Sequence, residues 1–191
     1  MRYLALLFIV AVALSGCHGC GKEAVVVDSA TRPRADTLPP PPPDSAGFVT
    51  KITTGSTTPD SLVAFAKSLK GIPYLYASTN PEQGFDCSGY ITYVFNHFNI
   101  AVPRRSVDFN YLNRQIPLAR AKTGDLVLFT GLDSMVRVPG HMGILIVGTN
   151  KTLTFLHSTS GKANGVTETP FTPYYTCRYL KTIRVFGQND D

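Results

Sequence analysis

The stretch from Gly84 to Phe95, "GFDCSGYITYVF", sets one cysteine between an acid and a hydroxyl and then continues at helical spacing. Ile91, Val94, Phe95 and Phe98 recur every three or four residues, and Pro103 lies beyond the end. Cys87 therefore belongs to the first turn of a helix, on the face continued by Ile91, Val94 and Phe98. Unpaired backbone N–H groups and the macrodipole favour negative charge there, so the thiol pKa is expected to fall towards the thiolate, the nucleophilic form.

Upstream, "TTPDSLVAFAKSLKGIPY" supplies a second helix. Thr58 can cap it, Pro59 suits its first position, Asp60 favours its positive end, and Leu62, Val63, Phe65, Ala66 and Leu69 form one apolar face. Gly71 and Pro73 end it. A shorter helix is expected from Ser106 to about Asn113. Beyond it the pattern turns extended, with "DLVLF" at 125–129, "HMGILIV" at 141–147, "TLTFLH" at 152–157 and "TIRVF" at 182–186. Helices first and strands second predict an α+β fold, N-terminal helices packed on a mainly antiparallel β-sheet. Residues 148–151, "GTNK", read as the hairpin turn between two of the strands.

That hairpin gives the thiol its partners. His141 opens one strand and His157 closes the next, so a turn at 148–151 brings the two rings side by side. A cysteine that attacks an amide needs an imidazole to take its proton and a third polar group to orient that ring. Each residue also has a structural reading. Cys87 could form a disulfide with Cys177, Cys20 could pair with Cys177 or stay free, and either histidine alone could be a hydrogen-bonded core residue. One cysteine and two histidines could also bind zinc, but the helix-terminal thiol needs no metal to explain it, and no cofactor is expected. His97 falls off the apolar stripe and reads as a solvated surface residue, and Asp125 as a turn former.

The chain begins differently. "MRYLALLFIVAVALSGC" carries one basic residue, an apolar run from Leu4 to Leu14 and small residues before Cys17, which reads as an export signal over 1–16, too short to span a bilayer. The ending resembles a bacterial lipobox, which implies acylation of Cys17 and a lipid anchor. An ordinary secretory signal is the alternative. Residues 17–58 lack apolar periodicity and include five consecutive prolines, 39–43, which predicts a disordered extended tether. The domain is then expected over 59–188. The net charge of +5 in 191 residues, +4 without Arg2, permits an anionic partner, but no basic run or basic–aromatic interleaving favours nucleic acid.

Taken in order, "GIPYLYASTNPEQGFDCSGYITYVF", "VPRRS", "KTGDLVLF", "GHMGILI" and "FLHSTS" resemble the NlpC/P60 family of cell-wall peptidases over roughly residues 60–186. The resemblance implies a papain-like fold and a triad of Cys87 as nucleophile, His141 as base and His157 as orienter. It implies cleavage between D-glutamate and a diamino acid in peptidoglycan stem peptides. Asp86 and Ser88 would help recognise the free amino end of the substrate, with Tyr74 close to the nucleophile. The neighbouring readings are an N-acetylmuramoyl-L-alanine amidase and an inactive wall-binding lipoprotein. Two departures stand out: Ala77-Ser78 replaces a pair of glycines, and Phe109 replaces a glutamine. The expected setting is the cell envelope, with the protein a monomer anchored to a membrane through Cys17, which is the outer membrane facing the periplasm if the organism is diderm.

Overall fold

A computed structural model describes residues 49–190. The expected signal segment, Cys17, Cys20 and the proline run lie outside the described residues.

The first helix, α1 (Pro59–Ser68), starts where its cap residues dictate. The Thr58 hydroxyl accepts from the Ser61 N–H, and the Ser61 hydroxyl accepts from the Thr58 N–H, both at 3.2 Å. Gly71, at φ 92°, follows its end. Two short strands, β1 (Thr79–Asn80) and β2 (Gly84–Phe85), pair before α2 (Cys87–His97). The Asp86 side chain accepts from the Gly89 N–H at 2.5 Å and so caps α2. Ile91, Val94 and Phe95 are fully buried, and the Tyr90 hydroxyl donates to the Ala66 carbonyl at 2.8 Å, tying α2 to α1. His97 is exposed, as expected, but its ring stacks on Phe65 with centroids 3.6 Å apart.

The remaining chain forms β3 (Gln115–Ile116), β4 (Leu126–Thr130), β5 (Pro139–Val147), β6 (Leu153–Thr159), β7 (Gly165–Pro170), helix α3 (Pro173–Arg178) and β8 (Tyr179–Ile183). The sheet order is β3-β8-β4-β5-β6-β7, and each neighbouring pair is antiparallel. Both faces are covered. Met142, Ile144 and Leu156 join the helix layer, whereas Val127, Phe129, Leu145 and Phe155 pack with Phe171, Tyr175 and Tyr179. A strand buried on both sides reads as a continuous apolar run, which is why "LVLF" at 126–129 shows no alternation.

The α+β class and the antiparallel sheet match the sequence reading, but several boundaries move. The expected helix at 106–113 is a 3-10 turn over Asp108–Tyr111, closed by Arg105, which donates to the Asp108 carboxylate. The last strand runs 179–183 rather than 182–186 because Arg184 leaves it to meet the fully buried Asp125, Nε to Oδ1 3.0 Å. Asp125 does close the expected turn, accepting from the Lys122 N–H, and it also holds this buried ion pair. The folded region is wider than 59–188: Ile52 is 7% exposed in the core, Val49 packs against that core, and the Asn189 side chain donates to the Thr123 carbonyl. Residues 49–57 therefore belong to the domain and not to a tether.

Ala77 occupies one of the positions where the family resemblance led us to expect glycine, and its φ is 60°. A Cβ in left-handed backbone costs about 1–2 kcal/mol, more than the entropy lost by ordering a glycine, about 0.5–1 kcal/mol. Because Ala77 is exposed, its methyl group contributes little packing in return. Ala77→Gly is therefore expected to stabilise the fold by about 0.5–1 kcal/mol, raising Tm by a few degrees in a thermal melt. A lower Tm would show that the turn does not carry this strain.

Candidate active site

Cys87, His141 and Tyr74 line one cleft of about 930 Å³, together with Thr159 to Ala163, Thr167, Thr169 and the α3 residues Tyr174, Tyr175 and Arg178. The elements described above bring the parts there. Cys87 is the first residue of α2, and its Sγ lies 3.9 Å from the carbonyl oxygen of Gly140, the residue that precedes His141. The hairpin register sets Ile144 opposite Leu156, which puts His141 and His157 on the same face, diagonally offset. His141 Nε2 and His157 Nδ1 are 2.7 Å apart. Gly143 makes room for this pair. A Cβ at 143 would come within 2.7 Å of the Phe155 ring and 3.4 Å of His157 Cβ.

A further member extends the chain of hydrogen bonds. His157 Nε2 is 2.8 Å from Thr169 Oγ1, on β7. Since His141 Nε2 faces His157, its Nδ1 is the nitrogen left to take part in proton transfer. For Nδ1 to act as a base it must be unprotonated, so Nε2–H donates to His157 Nδ1, and His157 Nε2–H donates to Thr169. Each ring then has one defined tautomer. Sequence reasoning missed Thr169 because "GVTETP" is short, polar and without a clear period.

The electrostatics depart from expectation. Backbone N–H groups of Ser88 and Cys87 are directed at the sulfur and favour the thiolate, as does the charge of Arg104. Burial outweighs them, and the Asp86 carboxylate adds to it, pushing the thiol up to about 11. His141 is held well below the ordinary range by burial, then by His157 and Arg178, and His157 is lowered to about 4 by burial and by Arg178. Burial thus favours the neutral thiol and the neutral imidazoles over a thiolate–imidazolium pair. The expected lowering by the helix start exists, but it is the smaller effect.

The other residues singled out from sequence are placed unequally. Tyr74 reaches the cleft. Asp86 and Ser88 are buried beside it with their side chains engaged: Arg104 donates to Asp86 Oδ2 at 2.7 Å and to Ser88 Oγ at 2.9 Å. Phe109 is a core residue with no exposure. Cys87 is a free thiol and Cys177 is disulfide-bonded, which excludes the Cys87–Cys177 bridge. Among the described residues no group of three or more His, Cys, Asp or Glu side chains is arranged to hold a metal ion.

A raised thiol pKa has a direct readout. The rate of Cys87 alkylation by iodoacetamide is expected to climb continuously from pH 7 to pH 10, since the thiolate fraction still grows there. A rate that levels off below pH 6 would reveal a preformed ion pair instead.

The chain matches the model of the NlpC/P60 family over residues 71–184. It is 30% identical over 135 residues to the gamma-DL-glutamyl hydrolase of Bacillus subtilis, covering 71% of this chain and 32% of that protein. It is 41% identical over 99 residues to the probable peptidoglycan endopeptidase LytE of the same organism, 52% and 27% of the two chains. With the murein DD-endopeptidase MepS/murein LD-carboxypeptidase of Escherichia coli it shares 30% over 121 residues, 63% and 59% of the two chains. The chain thus spans from about a quarter to about three fifths of these relatives' lengths. An NlpC/P60 family protein from Bacillus cereus superposes with a TM-score of 0.58 at 25% identity, covering 69% of this chain and 41% of that one. The NlpC/p60 domain of the peptidoglycan hydrolase SagA shares the fold, with a TM-score of 0.55 at 21% identity over 67% and 99% of the two chains. The matched span covers more than half the chain and contains Cys87, His141 and His157: the protein belongs to the NlpC/P60 family.

Proposed function

We propose that this protein is a cysteine endopeptidase that cleaves the D-glutamyl–diamino acid bond of peptidoglycan stem peptides, with Cys87 as nucleophile, His141 as base and His157 as the group that orients it. The observation that carries the reading is a helix-initial free thiol that shares one cleft with His141 and Thr169, which the fully buried His157 links by hydrogen bonds from behind. The relatives named above as glutamyl hydrolase and peptidoglycan endopeptidase support the substrate class.

In the forward step Sγ bonds to the γ-glutamyl carbonyl carbon while the thiol proton passes to His141 Nδ1. The carbonyl π electrons move to oxygen, and the oxyanion takes hydrogen bonds from backbone N–H groups at the start of α2. Collapse of the intermediate breaks the C–N bond, and His141 returns its proton to the departing amine. The thioester is then hydrolysed by water that His141 deprotonates, which releases the acid and restores the thiol. Tyr74, at the cleft wall, and Asp86 with Ser88, organised by Arg104, are assigned to the substrate's amino end. Cys17, acylated, is assigned the membrane anchor, which would keep the domain in the cell envelope.

Digestion of purified muropeptides followed by mass spectrometry tests the bond. A new amino end on the diamino acid is the expected product, whereas freed lactyl ends would identify an amidase, and intact muropeptides with folded protein would overturn the reading. The roles of the histidines separate in kcat/KM. His141→Gln deletes proton transfer and is expected to lose at least about 10²- to 10⁴-fold. His157→Gln keeps an acceptor for His141 Nε2–H, so it should retain more activity than His157→Ala. Equal loss in His157→Gln and His141→Gln would refute this division.

A further inference from the structure

Two cationic residues, Lys162 and Arg178, line the cleft, and none of its lining residues is an Asp or Glu. Arg178 is the unusual one. It is 6% exposed, its Nη1 donates to the Tyr174 hydroxyl at 2.6 Å and its Nη2 to the Thr130 carbonyl at 2.9 Å. Its Nε is buried and has no hydrogen-bond partner. The guanidinium carbon sits 4.8 Å from the Tyr174 ring centroid and 5.8 Å from that of Tyr175. Every partner is neutral, and among the described residues no carboxylate lies within ion-pair distance of it. The other well-buried arginine, Arg184, meets Asp125, and Arg104 meets Asp86. A buried cation left without an anion is costly, so a protein that keeps one in a cleft wall has a use for the missing charge.

Position says which charge. The leaving amine must emerge where His141 can protonate it, so the residue beyond the scissile bond lies on the His141 side of the cleft. Arg178 is on that side: its guanidinium carbon lies 5.8 Å from the Tyr175 ring, whose centroid is 6.4 Å from that of His141 and 5.9 Å from that of His157. The amino-end residues Tyr74, Asp86 and Ser88 gather instead around Cys87. We propose that Arg178 is a specificity-determining residue that binds a carboxylate carried by the leaving diamino acid. The half-exposed Tyr174 occupies with its hydroxyl a donor that a carboxylate oxygen can take, and its ring forms the rim over the guanidinium. Seating the carboxylate also cancels the positive field that opposes protonation of His141, so the correct substrate makes the base stronger as it binds. This inference rests on the peptidase reading above.

Binding can be read without turnover. Cys87→Ala protein is titrated by calorimetry with L-Ala-γ-D-Glu-diaminopimelic acid, with the same peptide amidated at the leaving residue's carboxyls, and with it amidated at the glutamyl α-carboxyl. A charge-assisted contact predicts a loss of about 10- to 100-fold in affinity for the first amide, little for the second, and disappearance of that preference in Cys87→Ala/Arg178→Gln. Arg178→Lys in the same background keeps the charge and should keep part of the preference. Should Arg178→Gln not fold, the lysine variant and the amidated peptides on the parent protein still decide. The proposal is overturned by equal affinity for acid and amide, by a preference that follows the glutamyl carboxyl, by one that survives in Arg178→Gln, or by no binding at all. Failure of the unmodified enzyme to cut the acid peptide that it binds would count against the peptidase reading and leave the Arg178 result standing.

Discussion

The hydrogen bond from Ser158 Oγ to the Phe85 carbonyl, 2.7 Å and fully buried, joins the strand that carries His157 to the segment that leads into Cys87. Ser158 follows His157 on β6 and faces the helix layer, while His157 faces the other way towards His141. Phe85 is two residues before Cys87, with only the cap residue Asp86 between them. The distance from thiol to imidazole is thus set through one strand and one turn, each rigid on its own. Gly89 allows the close seat this requires, because a Cβ there would lie 2.0 Å from the Ser78 carbonyl oxygen. Sites mounted on strands and helix ends hold geometry better than sites on loops, and here both mounts share a hydrogen bond.

The same tight seat explains the charge state. Enclosing Cys87 beside Asp86 raises the cost of a thiolate beyond what two backbone N–H groups and Arg104 return. Enclosing the histidines next to the buried cation Arg178 raises the cost of an imidazolium. In the proposed mechanism the two ionised forms arise together, as proton transfer creates opposite charges side by side.

Much of this was legible in the sequence. Thr58-Pro59, the 91/94/95/98 stripe and the turn at 148–151 are local signals, and each held, so the relative placement of Cys87, His141 and His157 followed from short-range rules. What could not be read depends on distant packing. Thr169 and Arg178 lie on short elements, "GVTETP" and "PYYTCR", whose residues give no clear period, and both matter only because the fold carries them to the cleft. Asp125 read as a turn former, while its ion pair with Arg184 spans 59 positions. The direction of the Cys87 shift was misjudged for a related reason. A helix start is visible in sequence, but the burial that overrides it is not.

The proposed thioester at Cys87 is read directly by intact-protein mass spectrometry after rapid acid quench. Mixed with L-Ala-γ-D-Glu-diaminopimelic acid, the protein should gain the mass of L-alanyl-γ-D-glutamic acid less one water, the acyl group replacing the thiol hydrogen while diaminopimelic acid leaves as the free amine. The adduct should map to the peptide containing Cys87 and disappear on hydroxylamine treatment. Release of diaminopimelic acid with no adduct at Cys87 at any quench time, together with undiminished cleavage by Cys87→Ala, would contradict the claim that this thiol is the nucleophile.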